Sequence, residues 1–376
     1  MAETTVPTNL REDGDQTPVQ SPWRLFWKHF RRSQVAVWGG IILVVFYLAV
    51  LFAGFLSPYD YETQYRRHNN HPPTKVKIRD RDGNWHRPFV YATEMVDPMR
   101  TKYGEVEDDT RYPIKFFVRG ADYKLLWLFP TNIHLLGVDE PGHLFVFGTD
   151  ALGRDIYSRL LHGGRISLSV GLLGILLTYS LGLLVGGIAG YYGGVVDNIL
   201  MRFSEVLMSI PGLYLILALR AAFPADIRSD LVYLIIIGIL ALVYWARLAR
   251  IIRGMVLSLR ENEYVTAAEA LGVPSMMIIV RHILPNTMSF VIVAATISIP
   301  AYILGEVALS FLGAGIQEPI PSWGNMLQQA QKVSVLKQFP WILTPGVFIF
   351  LAVLAFNFLG DGLRDALDPK KVQGDS

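Results

Sequence analysis

The sequence predicts an all-α polytopic membrane protein: six transmembrane helices, both termini cytoplasmic (N-in/C-in), and an extracytoplasmic β-rich insertion between the first two spans. Three observations lead there. Hydrophobic residues make up 52% of the 376, and the mean hydropathy of +0.34 is too apolar for most soluble domains of this length. Six apolar runs of roughly 20 residues can each cross ~30 Å of hydrocarbon. Lys and Arg are spread unevenly over the segments joining those runs, the asymmetry that sets orientation.

The runs are Val35–Leu56, Ile166–Ile188, Phe203–Leu219, Leu231–Ala246, Thr287–Phe311 and Trp341–Leu359. Residues 1–22 are polar and the first run has no small-residue cleavage site at its end, so it reads as a retained span. Glu205 and Pro211 interrupt the third run, and Pro300 and Glu306 lie inside the fifth. Kinks and carboxylates at membrane depth are tolerated where neighbouring helices cover them. With a cytoplasmic N-terminus, the inner segments hold thirteen basic residues: Arg24, Lys28, Arg31, Arg32, Arg202, Arg247, Arg250, Arg253, Arg260, Arg281, Arg364, Lys370 and Lys371. The short outer loops hold four, Arg220, Arg228, Lys332 and Lys337. Residues 57–165 are rich in basic side chains yet face outward, because long segments translocate largely regardless of charge. A net charge of +2 singles out no partner class, and nucleic acid is not expected. The absence of cysteine removes thiol chemistry, disulfides and Cys-ligated metals.

A segment as long as 57–165 should carry structure of its own. Lys75–Asp80 alternates charged and apolar residues, Asp82-Gly83 signals a tight turn, and Trp85–Tyr91 follows with more aromatics, which together read as a β-hairpin. Ile114–Val118 and Leu125–Phe129 are further strand candidates. Two roles fit this insertion: a docking surface, or an elaboration with no fixed role. His68 and His71 raise the question of a metal, but nothing nearby completes a ligand set, and they read as part of a solvated loop.

Three stretches stand out. Gly148–Asp155, followed by Ser158-Arg159 and Gly164–Leu168, is a polar, turn-rich entry to the second span. There Asp150 can cap the following segment, and Arg154 with Asp155 can anchor at the headgroup level. Gly182, Gly186 and Gly190 repeat every fourth residue, a small-residue stripe suited to close helix packing. It runs into the turn Tyr191–Gly194 and then Asp197. In the loop between the fourth and fifth spans, Glu263–Ala270 favours helix, Gly272 can supply a left-handed stop and Pro274 forbids continuation. Ser275 can cap a second short helix, which Ile283–Asn286 closes. Small Ala267 and Ala268 would permit a partner to dock closely. This unit is either a knob for a soluble protein or an amphipathic segment lying on lipid.

Residues 266–285 resemble the cytoplasmic-loop signature of ABC-importer permeases: Glu-Ala-Ala, then Gly, then Ile-x-Leu-Pro. Here Thr266 stands in place of the leading Glu, and His282 occupies the Ile position with Ile283 one residue later. More narrowly, Gly148–Asp155, Ala189–Gly194, Met201-Arg202, Phe311–Gly315, Pro321–Met326, Asn357–Asp361 and Leu363–Pro369 resemble the dipeptide/oligopeptide and nickel permeases of that class. They follow in consistent order over most of residues 148–369. The resemblance implies a cytoplasmic tail at 1–34, a first transmembrane helix at 35–56, an extracytoplasmic insertion at 57–147 and a tail at 370–376. Between the last two lies a permease core at 148–369, with five helices and a cytoplasmic coupling loop at 247–286. It implies a multi-pass protein of a bacterial inner membrane, in contact with lipid. The expected partners are a second homologous permease subunit, two cytoplasmic ABC ATPase subunits and an extracytoplasmic substrate-binding protein. No Gly-x4-Gly-Lys-Ser/Thr sequence is present. ATP and Mg therefore belong to the partner ATPases, this chain binds no cofactor or metal, and it is not itself an enzyme.

On that resemblance, Glu263, Ala267, Ala268, Gly272, Ile283, Leu284 and Pro285 form the ATPase-coupling loop. Closure of the ATPases on ATP would shift the loop and rock the helices between inward- and outward-facing states. Glu306 has two readings: it lines the translocation path and meets a peptide amine, or it pairs with a buried donor. Nickel or another small solute is the alternative cargo within the family. A secondary transporter would show paired broken helices or a charge relay. Only Glu205 and Glu306 fall inside the spans here. An intramembrane enzyme would show His-Glu-x-x-His or Gly-x-Ser-x-Gly, and neither occurs.

Overall fold

The computed structural model describes residues 22–97, 101–106, 109–224 and 227–367. Residues 1–21 and 368–376 lie outside them, including Lys370 and Lys371 of the charge asymmetry, Pro369 of the closing motif and the tail 370–376.

Helix α1 (Pro22–Arg32) is separated from α2 (Gln34–Leu51) by Ser33, which is extended and whose hydroxyl accepts from the Ala36 amide. The first predicted span is thus α2 plus a short α3 (Ala53–Leu56), divided at Phe52. The insertion then supplies β1 (Lys77–Arg79), β2 (Trp85–Val90), β3 (Thr93–Asp97), β4 (Lys102–Glu105), β5 (Tyr112–Pro113), β6 (Lys115–Leu125) and β7 (Phe129–Gly137). All pair antiparallel, as a β1-β2-β5 sheet and the separate hairpins β3–β4 and β6–β7. The Asp82-Gly83 turn lies where the sequence put it, with Gly83 at φ +89°. Leu125–Phe129, by contrast, is not one strand: Leu125 ends β6, Phe129 begins β7, and between them Leu126 and Trp127 adopt φ of +51° and +60°, which closes the β6–β7 hairpin.

His68 and His71 do not sit in a solvated loop. His71 is 2% exposed, with Nδ1 2.6 Å from the Pro72 carbonyl and Nε2 2.8 Å from the Thr93 hydroxyl. His68 packs its ring 4.6 Å from His143 and 5.6 Å from Phe145. Together with Tyr59, Tyr65 and Tyr103 these rings form the aromatic core of the insertion. Among the described residues, no group of three or more His, Asp or Glu is placed to hold a metal.

The remaining helices are α4 (Ile156–Tyr192), α5 (Gly194–Ser209), α6 (Gly212–Ala221), α7 (Ser229–Leu259), α8 (Glu263–Ala270), α9 (Ser275–Met277), α10 (Met288–Phe311), α11 (Trp323–Met326), α12 (Val333–Gln338) and α13 (Thr344–Leu367). Among the described residues, five helical segments are long and apolar enough to cross a membrane, and α5 with α6 makes a sixth if counted together. That pair corrects the third span: its two halves are bent by 91°. Pro211 has no amide to donate to the preceding turn and holds Ile210 extended at φ −90°, ψ 130°, so one straight helix through this run is excluded. Helix α4 begins ten residues before the apolar run because Asp155 caps it, accepting from the Ser158 amide at 2.8 Å. At 1.5 Å per residue it extends ~55 Å, beyond the hydrocarbon at one end or both.

Helices α4 and α7 run parallel in the centre, while α10 lies antiparallel to α4 and α13 antiparallel to α2. Val170, Ile236, Leu240, Tyr302 and Leu309 form one core between α4, α7 and α10. Leu43, Leu168, Ile303, Trp323 and Phe356 form a second where α2 and α13 close the other side. Leu172, Leu176, Val195, Ile199 and Phe350 stay exposed, as surfaces solvated by lipid do.

Candidate functional site

At the C-terminal ends of α4 and α7 a compact projection is built from residues 260–287. Arg260 ends α7 and donates to the carbonyls of Gly190 and Tyr191, at 3.3 and 3.2 Å, capping α4 as well. Glu263 is in the first turn of α8, where a negative charge complements the helix dipole. The helix stops in a Schellman arrangement: the Gly272 amide donates to the Glu269 carbonyl at 2.9 Å, and the Val273 amide to the Ala268 carbonyl at 3.1 Å. Gly272 is at φ +75°, open to a glycine at little cost. Pro274 then turns the chain into α9.

The second half of the projection departs from the expected short α-helix. Ser275 is the first residue of α9 and its side chain makes no cap; Pro274 precedes it as the cap residue. Only Ser275–Met277 is α-helical. Ile278–Ile283 winds as a π-helix and Leu284–Thr287 as a 3-10 turn around Pro285. A π turn shifts the facing of successive residues, which puts Ile278, Ile279 and Ile283 together on the inner side.

The inner side is apolar and closed. Val265, Ala268, Ile278 and Ile283 pack on Leu248, Ile252 and Val256 of α7 and on Tyr179 of α4. Ile279 lies over Gly187, where an added Cβ would be 3.0 Å away. Tyr191 donates its hydroxyl to Glu269 at 2.7 Å. The outer side is also apolar but open: Leu271 is 83% exposed, and Tyr264, Met276, Met277 and Val280 are exposed too. Met276, Met277, Val280 and Pro285 border a shallow groove of about 650 Å³. Ala267 faces outward and Ala268 inward, so these two alanines do not share one docking face. The large exposed side chains were not singled out by sequence reasoning, although the run Met276-Met277 was there to read.

Behind the projection, α4 and α7 approach closely. A Cβ on Gly182 would meet Leu248 at 2.6 Å; on Gly186, the Ala249 carbonyl oxygen at 2.5 Å; on Gly190, the Arg253 carbonyl oxygen at 2.8 Å. Asp197 in α5 and Arg253 in α7 form a two-point ion pair that ties the returning helix to this contact. The bend at Pro211 leaves a groove of about 330 Å³ lined by α4, the α5–α6 bend, α7 and α10. Tyr244 and Tyr302 meet edge to face across it at 5.1 Å, Tyr179 and Ser298 are hydrogen-bonded at 3.0 Å, and Arg247 stands at its wall.

Glu306 is not part of that groove. It is fully buried, and the hydroxyls of Ser167 and Ser310 donate to it at 2.9 and 2.7 Å. Of the two readings, the geometry is that of a carboxylate held by buried donors. Ser167 in turn accepts from the amide of Trp323, whose indole donates to the Leu160 carbonyl at 3.0 Å. The Pro321–Met326 motif works locally: Ser322 and Asn325 cap α11 reciprocally, and Trp323 is 2% exposed between α4 and α2.

At the opposite end of α4, the Gly148–Asp155 block buries its charged side chains, while Ala151 and Leu152 stay exposed. Arg154 is 4% exposed and donates to Asp150 at 2.7 Å and to Glu318 at 2.5 and 3.0 Å. Asp150 accepts from the amides of Leu152 and Arg154, closing the turn, while Asp155 caps α4.

Comparison with known proteins gives two family-model matches. Residues 182–373 match the binding-protein-dependent transport system inner membrane component. Residues 21–73 match the N-terminal transmembrane domain of oligopeptide transport permease C. The oligopeptide transport system permease protein OppC of Haemophilus influenzae is 46% identical over 225 residues, 60% of this chain and 70% of that protein. The glutathione transport system permease protein GsiD of Pectobacterium atrosepticum is 34% identical over 352 residues, 94% and 92% of the two chains. OppC of Bacillus subtilis is 30% identical over 375 residues, 97% and 98% of the two.

Proposed function

Because this chain belongs to the family of binding-protein-dependent transport system inner-membrane components, we propose that it is the translocating permease subunit of an ATP-driven importer of short peptides. It is a multi-pass membrane protein and the non-catalytic member of such a system. Peptide cargo is supported by the names of its relatives, oligopeptide, dipeptide and glutathione permeases among them.

One observation carries the mechanism: a rigidly backed projection with an apolar outer face stands at the ends of α4 and α7. Glu263, Ala267, Ala268, Gly272, Ile283, Leu284 and Pro285 belong to it in two capacities. Ala268 and Ile283 root it in the bundle. Ala267, Pro285 and the neighbouring Leu271, Met276 and Met277 meet an ATPase subunit. The projection faces the cytoplasm and the insertion faces outward, supported by the thirteen-to-four asymmetry of basic residues. The complete machine has a second homologous permease, two ATPases holding ATP and Mg, and an extracytoplasmic binding protein that delivers cargo.

In the cycle, ATP-driven closure of the ATPases pushes the projection. Because it is packed on α4 and α7 with no slack, those helices move as one body. The groove beneath the α5–α6 bend, with its tyrosines and Arg247, is this subunit's share of the passage. Glu306 is a positioning residue that holds α4, α10 and the Trp323 segment together.

Purification from native membranes in mild detergent tests the reading. A second permease and two ATPase chains should come down with this chain, and the reconstituted complex should take up peptide only with ATP and the binding protein. A chain that purifies alone and moves solute along an ion gradient would overturn it.

A further inference from the structure

The β6–β7 hairpin has no part in the transport cycle above, and its placement is specific. It runs back along the outer end of the first span. Near its base His134 Nδ1 lies 2.6 Å from the Ser57 carbonyl, and the Phe117 ring lies 6.1 Å from that of Phe55. Further along, Tyr123 covers Gly54, where an added Cβ would be 2.3 Å from the ring. At the tip, the Arg165 guanidinium lies 5.1 Å from the centre of the Trp127 ring, and Arg165 donates to the carbonyl of Val50 in α2 at 3.0 Å. From Ser57 back to Val50 the helical rise is ~10 Å. The tip therefore reaches the level of the last turn of α2, where the span itself ends.

The composition of the tip matches that level. Trp127 is 63% and Leu128 74% exposed, and Phe129 is exposed beside them. Residues 125–133 contain no Asp, Glu, Lys or Arg, while Arg119 and Lys124 flank them on β6. The turn holds Leu126 and Trp127, neither of them glycine, in the left-handed region. Water offers no return for turning these apolar side chains outward, whereas the headgroup boundary does, and tryptophan is enriched there. Long basic side chains beside them can reach up to headgroup phosphates. On α2 itself Val44, Val45 and Leu48 are exposed too.

We propose that the tip of the β6–β7 hairpin, Trp127, Leu128 and Phe129, is a membrane anchor that dips into the outer leaflet and holds the insertion against the bilayer beside the first span. Which leaflet is meant follows from the orientation proposed above; the level of the tip relative to α2 does not depend on it.

The chain has no cysteine, so single reporters can be placed cleanly. Leu128→Cys and, for comparison, Trp85→Cys on β2 are each labelled with an environment-sensitive fluorophore in the full complex, reconstituted in phosphatidylcholine/phosphatidylglycerol nanodiscs. Both positions are exposed, so labelling disturbs no buried core, and at 85 it removes only the surface contact of Arg79 with the Trp85 ring. Lipids brominated on their acyl chains should quench the label at 128 about threefold more than that at 85, and aqueous iodide should quench mainly the label at 85. Iodide quenching at 128 with no effect of brominated lipid would overturn the anchor. So would shielding at 128 that appears only on adding the purified binding protein, which would make the tip a protein-docking face.

Discussion

Arg154 and Glu318, 164 residues apart in the chain, meet as a two-point pair at 2.5 and 3.0 Å. Arg159, 1% exposed, donates to the same carboxylate at 3.1 and 3.0 Å. One glutamate thus compensates two arginines and fastens the loop after α10 to the entrance of α4. Removing it leaves Arg154 with Asp150, and Arg159 with the Tyr61 carbonyl at 3.2 Å and a longer 3.8 Å approach to Asp150 as its one remaining carboxylate. Losing one partner of a buried ion pair costs ~3–5 kcal/mol; the half-exposed Glu318 side chain lowers that to about 2. Glu318→Ala should reduce the thermal unfolding midpoint in detergent by several degrees, and Glu318→Asp by less. An unchanged midpoint would mean the network is solvated.

The glycine stripe gives a contrast between two positions. Gly186→Ala drives a methyl to 2.5 Å from the Ala249 carbonyl oxygen, and backbone cannot swing aside. Overpacking of this kind costs ~1–3 kcal/mol, so yield and midpoint should both fall. Gly238→Ala, in α7 with nothing within 4 Å, should be neutral or raise stability by ~0.5–1 kcal/mol. Equal effects at the two sites would contradict the α4–α7 packing.

Acid should loosen the insertion. Burial pushes His71 and His143 down to about 4, and His68 is lowered for the same reason; His68 adds to the penalty on both, and His143 to that on His71. A group that is neutral when folded and protonates more readily when unfolded stabilises the fold above its unfolded value, near 6.5. That contribution is lost as pH falls from there towards 4. Limited proteolysis between residues 57 and 147 should therefore accelerate between pH 6.5 and 4 in the intact complex. His143→Phe should flatten the dependence, and an unchanged pH profile in that variant would remove the cluster as its cause.

The stop at Gly272 has a predictable hierarchy. An added Cβ meets nothing within 4 Å, so Gly272→Ala is strained only through its left-handed backbone, at ~1–2 kcal/mol. Gly272→Pro cannot adopt φ +75° at all. Peptide-stimulated ATP hydrolysis by the complex should survive the alanine change and be largely lost with proline. Normal coupling in the proline variant would show that the projection's shape is immaterial.

How much of this was legible depended on whether the cause was local. Spans appear as apolar runs, the α4–α7 contact as glycines four apart, the loop stop as Gly272 before Pro274. The 91° bend needed more than hydropathy, since Phe203–Leu219 is apolar on both sides of Pro211. Pro211 marks the interruption in the sequence, but the size of the bend is set by how the two halves pack. The strand predicted at Leu125–Phe129 failed because its residues favour strands by type, while the turn arises from two non-glycine residues at positive φ. The Arg154–Glu318 pair was not legible because its partners lie 164 residues apart in the chain. Glu306 could be read two ways until Ser167, from another helix, was seen against it.

In the proposed assembly the projection after α7 docks an ATPase subunit through its exposed apolar face. Leu271→Cys, on a chain without other cysteines, places a single photoactivatable crosslinker at its most exposed point. In the native membrane the account predicts a crosslinked product containing an ATPase subunit, with a yield that changes when ATP hydrolysis is blocked. Crosslinking to lipid alone, or labelling of this cysteine by an impermeant reagent added from outside the cell, would contradict it.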